Sequence, residues 1–239
     1  MDTRYQLVYF SNNMGIEGTP EFSHKLHGKM LEEKLQLYPR IFQEINLPEN
    51  KPVDRLSFVS ADGEYEIRIG GLRVDFIQQK IDLLTNTRIG GPAKFFDFIT
   101  KAVSALSLEL DHGRTKGTRL ALVVQHIEPH VNEEQLAAYF ERVVNPAQIG
   151  RLGKVVDWTY RVNVRDNIEL SKILEQVNAI KKIERLGGQV YQDGQLNTFD
   201  RIFKEYDINT LPENINPRFS LSSLNNFAEI AVQKISNFE

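Results

Sequence analysis

The stretch that decides the fold is residues 56–76, LSFVSADGEYEIRIGGLRVDF. It contains two hairpin signals, Asp62-Gly63 and Gly70-Gly71, because glycine accepts the positive φ that tight two-residue turns require. Apolar and polar residues alternate around both turns, which is the period of a half-buried strand. The stretch therefore predicts a three-stranded antiparallel meander.

Two-residue loops at both turns would place Phe58 opposite Ile67 and Ile67 opposite Val74. This register gathers one apolar face, which we expect to be buried: Leu56, Phe58, Tyr65, Ile67, Ile69, Leu72, Val74 and Phe76. The other face carries Ser57, Val59, Glu64, Glu66, Arg68, Arg73 and Asp75. The same register sets like charges opposite each other, an unfavourable arrangement that diagonal neighbours can offset. The two like-charged pairs are Glu66 with Asp75 and Arg68 with Arg73.

Composition limits the function classes. The 239 residues include 29 basic and 32 acidic residues, and the net charge of −3 provides no global attraction to nucleic acid or to an anionic membrane. Cysteine is absent from the sequence, which excludes disulfides, thiolate metal sites and a cysteine nucleophile. The opening MDTRYQLVYF lacks the features of a signal peptide, and no apolar run reaches the length of a membrane span. A soluble cytoplasmic protein is expected.

Turn and cap signals divide the rest of the chain. Strands are predicted at residues 5–10, 120–127, 158–165 and 199–208, with a hairpin turn at Asp193-Gly194. Helices are predicted from Thr19 with spacing that continues to Pro39, at 92–106, from Asn132 to Val144 and at 224–238. Residues 169–186 fit both helical spacing and alternation, and we favour helix there.

This order predicts an α+β fold, a largely antiparallel sheet with a central three-stranded meander and about four helices packed on it. A single domain spanning residues 1–239 is expected. Asn145-Pro146 and the glycines up to Gly153 mark the best boundary between sub-domains 1–145 and 151–239.

Four segments together carry a resemblance: Arg55-x-x-Phe58-x-Ser60-x-Asp62-Gly63, the helix FFDFITKAVSAL, the strand RLALVVQHI and the tail DIN…SLSSLNNFAEIAVQKISNF. The combination resembles a sporadically distributed bacterial family of uncharacterised proteins. The resemblance covers most of the chain and implies a bacterial or phage origin and an extended 169–186 segment. It implies no catalytic residue.

The charged face of the meander is the first candidate site. Two facing carboxylates raise the pKa of one of them, and a neighbouring arginine can hold an anionic substrate, so Glu66, Asp75, Arg68 and Arg73 are the candidate residues of an enzyme. The same alternation is also the ordinary pattern of a solvated sheet face, or of a protein-docking surface.

Three further segments offer cations for anions or nucleic acid. Arg88 precedes a helix, where free backbone amides favour anions. The loop 111–119 brings glycines together with Arg114, Lys116 and Arg119, and a later strand carries Arg161 and Arg165 on one face. Ordinary turn and strand chemistry accounts for the same residues.

A metal site is not expected. His126 and His130 flank Glu128, but Pro129 and the preceding strand disfavour the helix that would set both histidines on one face. No glycine-rich dinucleotide motif follows a strand and no G-x-S-x-G elbow occurs, so no cofactor is expected.

The leading hypothesis is a non-enzymatic binding protein that works through a protein partner or through self-assembly as a homo-oligomer, in a bacterial or phage conflict or defence system. The alternatives are an enzyme for an anionic or nucleotide-like substrate and a nucleic-acid-binding protein.

Overall fold

The structure, a computed structural model, describes residues 2–12, 14, 16, 18–46, 50–79, 91–110, 116–128, 131–144, 157–170, 172–192 and 194–238. Its strands are β1 (Asp2–Ser11), β2 (Leu37–Asn46), β3 (Lys51–Ser60), β4 (Tyr65–Ile69), β5 (Arg73–Gln79), β6 (Gly117–Ile127), β7 (Thr159–Leu170), β8 (Ile173–Gln192) and β9 (Gln195–Thr210). Its helices are α1 (Pro20–Glu32), α2 (Pro92–Leu110), α3 (Glu133–Val143) and α4 (Ser223–Ser236). The predicted α+β class is confirmed.

One antiparallel sheet contains all nine strands, in the order β2-β3-β4-β5-β1-β6-β9-β8-β7. The predicted meander is β3, β4 and β5. The N-terminal strand β1 holds the fifth place and joins the meander to β6 and β9. The hydrogen-bonded sheet therefore runs without a break from the first half of the chain into the second.

The helices cover one face of this sheet. Cross-strand partners project to the same side, so the register places Tyr5 and Ile183 on the same face. Phe95 of α2 stacks on Tyr5 with ring centroids 5.2 Å apart, and Leu136 of α3 packs against Ile183. Helices α1 and α4 join the same core as α2. We call the opposite side, on which none of these four helices packs, the open face.

Between the helices and the sheet lies a close-packed apolar core. Side chains from strands and helices alike are fully excluded from solvent, among them Leu7, Leu26, Phe58, Phe76, Phe95, Leu122 and Phe227. Burying a side chain of this size stabilises the fold by about 1.5–3 kcal/mol. This core fixes which strand faces look outward.

The first meander hairpin has the predicted register, with Leu56 opposite Ile69 and Phe58 opposite Ile67. Of its two turn residues only Gly63 has a positive φ, of 73°. Asp62 instead accepts hydrogen bonds at its Oδ1 from Ser60 Oγ, at 2.6 Å, and from the Glu64 N–H, at 3.0 Å. The side chain of Asp62 therefore holds this turn closed.

The second hairpin is shifted by two residues from the prediction, so that Ile67 lies opposite Phe76 and Ile69 opposite Val74. The turn lies at Gly71 and Leu72, closed by the Gly70 N–H bonding to the Arg73 carbonyl at 2.8 Å. Leu72, predicted to be buried, is 62% exposed. The remaining apolar face is as predicted, because a two-residue shift preserves side-chain direction.

Helix α1 ends earlier than predicted, and an unpredicted strand follows it. Residues from Leu37 onward form β2, an edge strand that includes Pro39. Proline has no N–H to donate, which an edge strand tolerates. A second proline, Pro52, lies in β3 opposite Ile45 of β2.

The helix favoured for residues 169–186 is wrong. This segment ends β7 and forms most of β8, with Leu170 opposite Ile173 across a tight turn at Lys172, whose φ is 66°. The extended conformation implied by the family resemblance is the one found. Cross-strand pairing along β8 outweighs the helical spacing of its isoleucines.

The remaining helix signals are confirmed. The Thr19 hydroxyl accepts the Phe22 N–H at 3.3 Å, and Asn132 with Gln135 forms a capping box at 2.8 and 3.0 Å. An apolar stripe with helical spacing is buried along α2: Phe95, Phe98, Ile99, Ala102, Val103 and Leu106. The proposed boundary at 145–153 lies outside the described residues. None of the four described helices is both long and apolar enough to cross a membrane.

Candidate binding surfaces

On the open face of the meander, like charges do not lie opposite each other as predicted. The shifted register sets Arg68 opposite Asp75 and Glu66 opposite Ile77. Arg68 ion-pairs with Glu66 at 3.0 Å along its own strand, and Arg73 pairs with Asp75 at 2.9 Å in the same way. The structure thus separates the four predicted residues into two ion pairs.

Asp75 is the most buried of these four residues. Its side chain is 2% exposed, and besides Arg73 it is held by Gln6 of β1, whose Nε2 donates to Oδ1 at 2.8 Å. With both partners in place, this carboxylate is shielded from an incoming ligand. The geometry therefore assigns Asp75 to holding β1 against β5.

A second carboxyl on the open face lies farther along the sheet, on β9. Asp207 accepts a hydrogen bond from Asn209 Nδ2 at 2.9 Å, and Asn178 of β8 donates to Asn209 at 3.3 Å. Burial raises the pKa of Asp207, with a smaller raising effect from Glu205, while Asn209 and the guanidinium groups of Arg119 and Arg161 oppose the shift. The structure thus brings two predicted cations, Arg119 and Arg161, to a carboxyl that sequence reasoning missed.

This Asp207 cluster retains unused hydrogen-bonding capacity. Within the described residues, Asn178 Oδ1 and Arg119 Nε are buried without a hydrogen-bond partner. The Arg119 guanidinium lies over the Phe10 ring, 4.8 Å from its centroid. The cluster can therefore hold a proton and offer both donors and acceptors to a polar group on the sheet.

Of the other predicted cations, the structure describes Lys116 and Arg165. Arg165 pairs with Glu213 at 3.1 Å on an exposed edge, and Lys116 is exposed. Arg88 and Arg114 lie outside the described residues, as does His130. His126 contacts Thr3 Oγ1 at 3.1 Å through Nδ1. Where the structure describes the chain, no group of three His, Cys, Asp or Glu side chains is arranged to hold a metal ion.

The most distinctive surface is a two-stranded ribbon at the far end of β8 and β9. β7 pairs with β8 only up to Glu184, and β6 pairs with β9 only from Phe203. Beyond these points β8 and β9 continue to pair with each other, from Gly187 opposite Asp200 to Gln192 opposite Gln195. At about 3.3 Å per residue, the ribbon extends about 20 Å beyond the strands that the structure describes on either side of it. We call residues 187–199 the arm.

The root of the arm is fixed and its tip is apolar. Arg185 and Asp200 form a two-armed ion pair at the root. Phe199 lies against Gly188, where a Cβ atom would come within 3.0 Å of its ring. Tyr191 and Leu196, opposite each other near the tip, are 73% and 61% exposed. The arm thus presents a pair of large apolar side chains to solvent.

The sequence predicted the turn of the arm, Asp193-Gly194, but not the length over which β8 and β9 pair only with each other. Gly194 has the expected positive φ of 78°. A free ribbon was not predicted because segment 169–186, which leads into it, was assigned to a helix. Val177, Ala179 and Ile183, which fall on one face of an extended chain, were the signal that favoured a strand.

Comparisons with known proteins add no identity. No family model matches the chain, and no curated protein matches it in sequence, so the family resemblance stays a prediction. Among solved structures, the chain is similar to a rolling circle replication initiator protein from Geobacillus stearothermophilus, at 9% sequence identity over 98% of this chain and 78% of that chain. Its TM-score of 0.31 is too low to carry an argument about this protein.

Proposed function

We propose that this protein is a binding protein that self-associates through its arm, so that the protein partner is a second copy of the chain. The observation that supports this is the ribbon of residues 187–199, which is unpaired on both sides within the described residues. A two-stranded ribbon is marginally stable alone, and a third or fourth strand is what stabilises it. Two arms joined edge to edge form a four-stranded sheet.

The composition of the arm favours such pairing. Proteins protect exposed edges with lysine, proline or bulges, and the arm sequence GGQVYQDGQLNTF contains neither residue and one charge, at Asp193. A two-fold contact brings identical residues face to face, and the paired positions 187–192 and 195–199 carry no charge that would repel its copy. Pairing centred on Gln189 would set Tyr191 opposite Gly187 of the second copy, where the missing side chain leaves room for the ring.

The mixed charges of the open face and the net charge of −3 do not favour a nucleic-acid partner. A role in a bacterial or phage conflict or defence system remains part of the proposal that rests on the family resemblance alone.

The test is the solution mass measured by light scattering over a range of concentrations. We expect a dimer of the 27.5 kDa chain, converted to a monomer by Tyr191→Lys, which adds a charge to the pairing surface. Leu174→Lys is the matched control, because Leu174 is 72% exposed at the opposite end of the same strand. A wild-type chain that stays monomeric at every concentration overturns the proposal, even if its arm captures a strand of another protein.

A further inference from the structure

A cavity of about 630 Å³ lies on the helix side of the sheet, between α3 and strands β7, β8 and β9. It is separate from the arm and from the open face, and its volume is typical of small-molecule sites. Its polar lining consists of three cations and three tyrosines: Arg142, Lys181, Lys204, Tyr139, Tyr160 and Tyr206. The described lining residues include no carboxylate.

The two lysines are brought together by the sheet register. Lys181 lies opposite Tyr206, and Ile183 lies opposite Lys204, so the lysines are diagonal neighbours on the same face. Like charges at such positions repel unless an anion lies between or beside them. Glu128 pairs with Lys204 at 2.5 Å from outside the lining, and the Phe238 carbonyl accepts from Lys181.

Both lysines are held in place by aromatic rings. Lys204 lies 5.4 Å from the centroid of Tyr139, and Lys181 lies 5.8 Å from that of Tyr206. Burial opposes the charged form of Lys204, but the hydrogen bond and the charge of Glu128 outweigh it and raise the pKa of this amine. Lys204 therefore contributes a positive charge to the cavity.

Arg142 is the group that points to a ligand. Its guanidinium stacks on Tyr139, 4.5 Å from the ring centroid, and it forms no ion pair with any described residue. Stacking leaves the N–H groups in the plane of the guanidinium available, and their fork matches two oxygens of a phosphate. Phenolic hydroxyls beside it supply further donors.

We infer that this cavity binds a small phosphorylated molecule, whose phosphate oxygens are held by Arg142, Lys204 and Lys181 with the tyrosine hydroxyls around them. Glu128 already offsets the charge of Lys204, so a phosphate group, with about two negative charges at neutral pH, balances Arg142 and Lys181. The walls contributed by Val143 and Ile183 accommodate an apolar part of the ligand.

The probe is inorganic pyrophosphate, and the readout is the fluorescence of Trp158, the single tryptophan of the chain, together with the melting temperature. Trp158 packs against Phe140 of α3 with ring centroids 5.9 Å apart, so it reports on that helix. We expect saturable binding that Arg142→Gln weakens at least about tenfold, as removal of a charge-assisted hydrogen bond does. Arg40→Gln, which removes an exposed arginine on β2, is the matched control and leaves the affinity unchanged.

A second variant tests the role of Lys204, which is partly buried. Lys204→Met combined with Glu128→Gln removes the ion pair without leaving an unpaired carboxylate, and is also expected to weaken binding about tenfold or more. If that double variant does not fold, Arg142→Gln alone decides, because Arg142 is exposed. Absence of pyrophosphate binding, equal affinity in Arg142→Gln, equal loss in Arg40→Gln, or equally tight binding of citrate overturns the inference.

Discussion

Asp207 shows how one buried carboxyl couples stability to pH. Burial raises its pKa above the ordinary value of 3.8, so the folded chain binds this proton more tightly than the unfolded chain. The stabilisation from the proton is complete below the ordinary pKa and is lost as pH rises through the raised one. Above the raised pKa the ionised carboxylate therefore weakens the fold.

We predict that Asp207→Asn, which cannot ionise, melts at a higher temperature than wild type at pH 7. The difference should shrink towards zero as the pH falls below about 4, where Asp207 is protonated in both states. Thermal denaturation across this pH range is the measurement. Asp97→Asn, at an exposed helix position, is the control expected to show no such trend. A constant difference at all pH values would contradict the prediction.

At the scale of elements, the second meander hairpin shows how a neighbouring strand sets a turn. Glu44 of β2 accepts the Gly71 N–H at 2.8 Å and the Arg55 Nε at 2.9 Å through the same oxygen. A Cβ atom on Gly71 would lie 2.5 Å from Arg55 Nη2. Because glycine has no Cβ atom, the Arg55 guanidinium can lie this close to the backbone of residue 71.

We predict that Gly71→Ala destabilises the protein by about 1–3 kcal/mol, because the methyl group displaces Arg55 and weakens its bond to Glu44. Chemical denaturation measures this free energy of unfolding. Gly28→Ala is the matched comparison: its Cβ in α1 meets nothing within 4 Å, so alanine should stabilise by up to about 1 kcal/mol. Equal effects of the two substitutions would refute the role given to Gly71.

The same hairpin shows what the sequence can and cannot predict. Local signals were sufficient where one segment determines its own structure, as in the Asn132 capping box and the apolar stripe of α2. They failed where another element determines the local structure. The second turn is fixed by Glu44 of β2, and β2 was not predicted because the helical spacing before Pro39 indicated a helix there. The buried α2 face and the open-face charges followed from alternation and spacing. The Asp207 cluster and the cavity could not be predicted from the sequence, because each joins side chains from three or more elements that are distant along the chain.

At the scale of the whole molecule, β1 holds the two halves of the sheet together. It pairs with β5 and β6 along its length and contributes Leu7 and Tyr9 to the core, where they are 0% and 1% exposed. Removing it would leave two sheet edges unpaired at the centre of the fold.

We predict that a chain lacking residues 2–12 does not unfold cooperatively. Circular dichroism during thermal denaturation is the measurement. The control is a chain in which residues 188–198 are replaced by a short turn, which shortens the arm and should leave the melting transition of the body intact. A sharp transition at the wild-type temperature after loss of β1 would show that the halves are stable apart.

The central position of β1 also constrains how the chain is made. It leaves the ribosome before the other eight strands of this sheet, yet one of its contacts, from Thr3 to His126, is with a residue 123 positions later in the sequence. Non-local pairings of this kind slow folding, because a long loop must close before the contact forms. Until β6 has been synthesised, the apolar segment YQLVYF has one edge without its partner strand, and unpaired apolar strands of this kind are prone to aggregate during synthesis.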